Sequence, residues 1–367
     1  MKKLITILIM ICLLSQIFTT GAEKIEKTEE KSFFPEHFSW QNIDGIDYTT
    51  PIKDQSPAPT CEAYALVAAM EALMQYQTGD IYNPDLSECH LYFYAGGTYE
   101  SGYVNLIDAA NYLVNIGVPD EGCYPDPHRP FDYPFESLEG WENRTVKING
   151  WGWVSYDIDS IKSALIEYGP LVICVRFSND FFYYAGGIYK PTWGGHGGGH
   201  VVTIVGYDDN DECWIVKNSW GDKWGEDGWF RMAYDADMFA DWYGPGTGIM
   251  YIDGVYGNLK PDVPKIDIIH PEIKYTYIFG FKIPTLISKL NIQKAAPRIF
   301  GKMTLELFAS DTNKVDFFVD DELVFTDDLA PFEWVIDTAS GLHIIEIFAY
   351  NENNNVSMDI VDIYNFF

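Results

Sequence analysis

The stretch from Pro51 to Gly79, PIKDQSPAPTCEAYALVAAMEALMQYQTG, constrains this chain more than any other. Prolines at 51, 57 and 59 break its first part into an irregular loop, because a fixed φ and a missing N–H suit neither a helix interior nor a central strand. At Cys61 the pattern switches. Leu66, Val67, Met70, Leu73 and Met74 recur at helical spacing, Thr60 is a residue type suited to the N-cap, and Gly79 can end the helix. Cys61 therefore falls in the first helical turn, where unpaired N–H groups and the positive end of the dipole favour a thiolate, the nucleophilic form of cysteine. A cysteine in an apolar helix also has an ordinary use as a small buried hydrophobe. Taken alone, Cys61 leaves both uses open.

Two distant segments favour the chemical use. Gly199-His200-Val201-Val202-Thr203-Ile204-Val205-Gly206-Tyr207 is a strand pattern with a histidine at its start. Trp214-Ile215-Val216-Lys217-Asn218-Ser219-Trp220-Gly221 is a second strand that ends in an asparagine, with a tryptophan close behind. A thiol nucleophile needs a base for its proton, and that base needs a third group to hold its ring. Cys61, His200 and Asn218 supply those roles in chain order, with His200 about 140 residues downstream of the cysteine. Of the two histidines between Trp193 and His200, His196 sits among glycines with no fixed frame, so the base is assigned to His200. Gln55, shortly before Cys61, can donate its side-chain amide to a developing oxyanion alongside the Cys61 N–H.

On these residues the chain resembles the papain-like cysteine peptidases. The pieces that carry the resemblance are PIKDQ, the helix opening at Cys61, YGPLVICV, GGIY, GHVVTIVGY and KNSWGDKWGEDGWFRM, within Phe34 to Gly257. The resemblance implies that Gln55 builds the oxyanion hole, Cys61 attacks, His200 serves as base and then acid, and Asn218 orients His200. It further implies that Trp220 shields the Asn218–His200 hydrogen bond and that Gly96-Gly97 pairs with extended substrate, although a Gly-Gly is equally a simple turn. The chain departs from the family's Gly-Ser-Cys-Gly-Ser before the nucleophile, reading Ser56-Pro57-Ala58-Pro59-Thr60, so the family disulfide at that cysteine is lost. It also carries Glu62 where the family has an aromatic. A carboxylate in the first turn suits the helix dipole, and the expectation is that Glu62 turns to solvent with little effect on the thiol.

Met1 to Ala22 reads as a secretory signal peptide, with Lys2 and Lys3 before an apolar run and Thr20-Gly21-Ala22 for cleavage. A membrane anchor is the alternative, but the run falls short of about 18 apolar residues. Residues 23–33 form a charged, flexible segment, too short for the long helical propeptide of many papain relatives. A secreted or cell-surface protein follows. The formal charge of −30 argues against nucleic-acid partners, since two polyanions repel. No clustered His/Cys spacing points to a metal, and no cofactor is implied. A Cys89–Cys123 disulfide suits an exported protein, whereas Cys174 and Cys213 lie in apolar strands as buried thiols.

The expected fold class is α+β: residues 34–257 form a two-lobed papain-like domain, a helical lobe and a β-barrel-like lobe with the substrate cleft between them. Helices are expected over 85–94, 103–116 and 157–168, and 117–151 as a segment crossing between lobes. From Tyr256 the composition shifts. Pro261, Pro264 and Pro271 mark a linker over 258–271, and 272–367 alternates as short strands, an all-β sandwich similar to immunoglobulin-like appendages. The functional expectation is hydrolysis of peptide or protein substrates, with the C-terminal module attaching to a cell surface or polymer. The rival is a binding or adhesion protein on a peptidase fold that has lost activity, motivated by Glu62 and the altered loop before Cys61.

Overall fold

Cys61–Thr78 forms α1, the helix expected from the apolar spacing. It is buried on nearly every face, from Ala63 through Met74, so it is a central core helix rather than an amphipathic surface one. Gly79 ends it at φ 65°, its N–H bonding back to the Gln75 and Tyr76 carbonyls. Thr60 holds the N-cap position without making a capping bond, and its Oγ1 is buried with no partner among the described residues. The start of α1 is thus set by the proline loop and by packing, not by a capping hydroxyl. The computed structural model describes residues 34–366 apart from 57, 99–100, 127–135, 274 and 285–295. The expected signal peptide and charged segment over 1–33 lie outside the described residues.

Two helices, α2 (Glu88–Tyr94) and α3 (Leu106–Asn115), pack against α1, while α4 (Ile158–Glu167) packs against the strand that carries His200. Ser87, Asn105 and Asp157 cap them through their side chains, which explains why α2 and α3 begin later than apolar spacing suggests. The other lobe is built on β1 (His37–Ser39), β2 (Val146–Trp153), β3 (Leu171–Ser178), β4 (Ile188–Tyr189), β5 (His196–Asp208), β6 (Cys213–Lys217), β7 (Trp229–Ala233) and β8 (Ile249–Gly257). They form an eight-stranded sheet in the order β2-β8-β3-β5-β6-β7-β4, with β1 paired to β5. The crossing segment expected up to 151 therefore ends in a strand, β2, antiparallel to β8. The central strand β5 lies against α1: Thr203 Oγ1 donates to the Ala65 carbonyl at 3.0 Å, and Val201 and Val205 share the core with Leu66, Val67 and Met70. Each such aliphatic side chain stabilises by roughly 1.5–3 kcal/mol when fully buried.

Beyond Gly257 the described strands are β9 (Lys265–His270), β10 (Tyr275–Ile278), β11 (Phe281–Pro284), β12 (Arg298–Phe300), β13 (Met303–Ser310), β14 (Lys314–Val319), β15 (Glu322–Asp327), β16 (Glu333–Ile336), β17 (Gly341–Tyr350) and β18 (Val356–Asn365). They make a seven-stranded sheet, β11-β10-β12-β18-β17-β14-β15, and a three-stranded one, β16-β13-β9. Leu305 and Ile336 of the smaller sheet share a core with Phe317, Ile345, Ile347 and Ile363 of the larger, a sandwich-like arrangement. The stretch expected as linker is therefore partly structural: β9 pairs antiparallel with β13, and Pro264 and Pro271 flank it, as prolines at an edge strand do.

This β region docks on the peptidase-like part. The Arg144 guanidinium forks onto Asp120, with Nε to Oδ2 at 2.8 Å, while Nη1 donates to the Val356 carbonyl and Nη2 to Ser357 Oγ at 3.3 Å. A cavity of about 570 Å³ opens at this junction, lined by Tyr64, Asp85 and Glu121 on one side and Val263, Phe308 and Met358 on the other. Cys61, His200 and Asn218 lie outside its lining. Cys89 and Cys123 are both free and buried, which corrects the expected disulfide. Cys123 faces Asp120 at 3.9 Å, and Cys89 lies inside the helical core.

Candidate active site

The residues gathered from three distant segments meet where α1 begins against β5. The Cys61 sulfur is supported by the backbone N–H of Val201, the residue after His200. His200 is buried, and its Nε2 lies 2.8 Å from Asn218 Oδ1. Since a carbonyl oxygen accepts, Nε2 carries the hydrogen and Nδ1 keeps the basic lone pair. Asn218 Oδ1 also accepts from the Ser219 N–H at 2.9 Å, so two donors fix the orientation of the amide. Trp220 stacks on the imidazole with centroids 4.7 Å apart and an interplanar angle of 26°, and Phe182 stacks on Trp220 in turn. The tryptophan thus covers one face of the ring.

Gln55 is locked from both ends of its amide. Its Nε2 donates to the Ala58 carbonyl at 2.8 Å, and its Oε1 accepts from Ser219 Oγ at 2.6 Å. Its backbone N–H reaches the Ser219 carbonyl at 2.9 Å, so the loop before Cys61 is sewn to the strand end that carries Asn218. Gly96 and Gly97 form the turn that closes α2, their N–H groups bonding to the Phe93 and Tyr92 carbonyls at 3.1 and 2.8 Å. Those two donors are spent within the protein. His196 begins β5 opposite Ser178 and is exposed, apart from the buried ring of His200.

Glu62 departs from expectation. Its side chain is buried, at 5% exposure, and its Oε2 lies 3.5 Å from Cys61 Sγ. Burial raises its carboxyl to about 7, opposed by its own backbone N–H and the thiol. Glu62 is buried instead of turned to solvent, and its charge raises Cys174 on β3, Tyr92 on α2 and Tyr243 after β7. Burial, and then the Glu62 charge, push the Cys61 thiol well up. Burial pushes His200 down to about 4, against the hydrogen bond it donates to Asn218. Each partner thus favours its neutral form, and among the described residues no hydrogen bond joins the thiol to the imidazole.

A frame behind the site escaped sequence reasoning. Glu71 is a carboxylate in the apolar run of α1 and is fully buried. It accepts from Thr50 Oγ1 at 2.6 Å, Lys53 Nζ at 2.9 Å and the Leu86 N–H at 3.0 Å. Lys53 also meets Asp85 and Glu88 at 2.6 and 2.8 Å. Lys217, the residue before Asn218, donates to the Thr50 carbonyl at 2.7 Å and hydroxyl at 2.9 Å, and burial lowers it to about 8. The signal was available: one charged residue inside LVAAMEALM needs buried partners.

A helix-borne thiol set beside a strand-borne imidazole that an amide already holds is the layout of thiol-dependent hydrolase sites. The sequence model of the papain family cysteine proteases matches residues 34–243, more than half of the chain, and the chain belongs to that family. It is 30% identical to procathepsin L of Felis catus, over 58% of this chain and 68% of that protein. It is 49% identical over 79 residues to cathepsin B-like CP2 of Giardia intestinalis, which is 21% of this chain and 26% of that one. Matches therefore span from about a quarter to two thirds of these relatives' lengths. Among solved structures, xylellain, a cysteine protease from Xylella fastidiosa, matches with a TM-score of 0.50 and 25% identity, over 60% of this chain and 87% of that one.

Proposed function

We propose that the chain is an exported cysteine endopeptidase that hydrolyses peptide bonds through Cys61, His200 and Asn218. The observation that carries this reading is the His200–Asn218 pair, 2.8 Å apart under Trp220, on the strand whose next N–H supports the Cys61 sulfur. His200 Nδ1 takes the thiol proton, and the thiolate adds to the scissile carbonyl carbon. The Cys61 N–H and the second amide hydrogen of Gln55 hold the oxyanion. Collapse expels the amine, which takes the proton from His200 and leaves a thioester. Water, deprotonated by His200, then releases the acid and restores the thiol. The carbonyls of Gly96 and Gly97 offer acceptors to an extended substrate. The C-terminal sheets, read as an immunoglobulin-like sandwich, attach the enzyme to a surface or polymer.

Labelling with a thiol-reactive peptide epoxide, mapped by mass spectrometry, tests the assignment, with Cys61 expected to carry the label stoichiometrically. Cys61→Ser and His200→Ala abolish hydrolysis of peptides while the fold persists, and Asn218→Ala leaves weaker residual activity. Gln55→Ala costs on the order of 10²-fold in turnover. Unchanged hydrolysis by Cys61→Ser ends the proposal. A second reading, a binding protein on an inactive peptidase fold, draws on the thiol being hydrogen-bonded to buried Glu62 instead of His200.

A further inference from the structure

Glu62 places a carboxyl with almost no solvent contact 3.5 Å from the proposed nucleophile. Among the described residues, the thiol is the side chain that hydrogen-bonds this carboxyl. The ionisable groups that face it come from every element packed there: Cys61 on its own helix, Cys174 on β3, Tyr92 on α2 and Tyr243 after β7. All are thiols or phenols raised by burial, so they stay neutral at ordinary pH. None is a cation that would offset an ionised Glu62. His200, on β5 next to Val201, whose backbone bonds the sulfur, is the base that must receive the proton. The sulfur therefore has two alternative partners of opposite consequence. Toward an ionised Glu62 it stays a thiol, because two negative charges in a buried site oppose each other. Toward His200 it can become a thiolate.

We propose that Glu62 is a protonation-dependent lock on Cys61: ionised, its carboxylate holds the thiol proton and opposes the thiolate; protonated, it releases the sulfur to His200, so that the peptidase acts on the acid side of neutrality. The step is a proton exchange only. Solvent supplies the proton that neutralises Glu62, and the thiol proton then passes to His200 Nδ1. The rise of the Glu62 carboxyl to about 7 puts this switch within the range in which proteins operate. The inference rests on the reading of Cys61 as nucleophile and adds the condition under which it is released.

The test is the rate of Cys61 alkylation by iodoacetamide, mapped by mass spectrometry, from pH 5 to 8.5 at fixed ionic strength, in the full chain and in Glu62→Gln. A small reagent removes substrate binding from the comparison. At pH 8 the variant is expected to react about tenfold faster than the parent, and at pH 5, where Glu62 is already neutral, within about twofold of it. A residue that merely packs would shift the rates by one factor at every pH. A constant ratio from pH 5 to 8.5 overturns the lock and leaves Cys61 as nucleophile; absence of Cys61 labelling in both proteins at every pH overturns both. If Glu62→Gln fails to fold, Glu62→Asp, which withdraws the carboxylate by one methylene, is measured instead, and a ratio that does not grow with pH again overturns the lock.

Discussion

Arg144 offers a test of how the β region is joined to the rest. Its side chain and that of Asp120 are only 14% and 12% exposed, and its fork on Asp120 extends to Val356 and Ser357 at the start of β18. Arg144→Met keeps most of the volume but leaves the Asp120 carboxylate buried without its cation. Breaking one side of a buried pair costs about 3–5 kcal/mol, and the slight exposure here argues for the lower end, about 3 kcal/mol. That is a large share of a typical stability of roughly 5–15 kcal/mol. Arg144→Lys keeps the charge and loses the planar fork, so it should cost about 1–2 kcal/mol. Urea unfolding followed by both tryptophan fluorescence and circular dichroism is the assay. Because the lost contacts join two cores, the two probes should also separate in Arg144→Met where they coincide in the parent. A loss below about 1 kcal/mol with coincident probes would refute the argument, reducing the pair to the value of a surface ion pair.

Glu88 is held at about 8, mainly by burial and against the pull of Lys53, whereas 4.5 is its ordinary value. The folded form thus binds its proton more tightly, and the associated stability is complete below about pH 4.5 and lost as pH rises through about 8. Relative to the parent, Glu88→Gln should gain stability steadily in urea midpoints taken from pH 5 to 8, and a flat difference would contradict this. Gly97→Ala would set a Cβ 2.7 Å from the Tyr92 carbonyl and 2.8 Å from its ring, so a loss of about 1–3 kcal/mol in thermal unfolding is expected, and an unchanged melting temperature would count against the packing. Trp220→Ala uncovers the His200–Asn218 bond; a loss of about one net hydrogen bond, ~1 kcal/mol, corresponds to about a fivefold fall in kcat, while Trp220→Phe should retain most activity.

The proline loop, the start of α1 at Cys61 and the strands near His200 and Asn218 are legible because each combines a period with a breaker, although β5 already begins at His196, among the glycines, and β6 ends one residue before Asn218. What escaped reading was decided by three-dimensional packing. Local dipole logic turned Glu62 outward, but its neighbours on β3 and α2 make that position part of the core. The strand β2 ends in Gly150-Trp151-Gly152-Trp153, a run whose glycines mask strand character until its pairing with β8 is known. Prolines around 265–270 read as a linker because proline marks edge strands and linkers alike. The Cys89–Cys123 pairing is an expectation from export, which does not constrain where two side chains lie.

The Glu71 network has a further consequence. It ties the helix of Cys61 to the segment before Gln55 and, through Thr50 and Lys217, to the strand end of Asn218. The spacing of the Gln55, Cys61 and Asn218 segments is therefore set from behind, by buried groups. Exposed aromatic positions such as Tyr183 and Trp193, which stack on each other, lie outside this brace. A lineage or an engineer can change such exposed positions in small independent steps, each leaving Gln55, Cys61 and Asn218 in register. Change at Thr50, Lys53, Glu71 or Lys217 has to be concerted, because each leaves a buried charge or donor stranded.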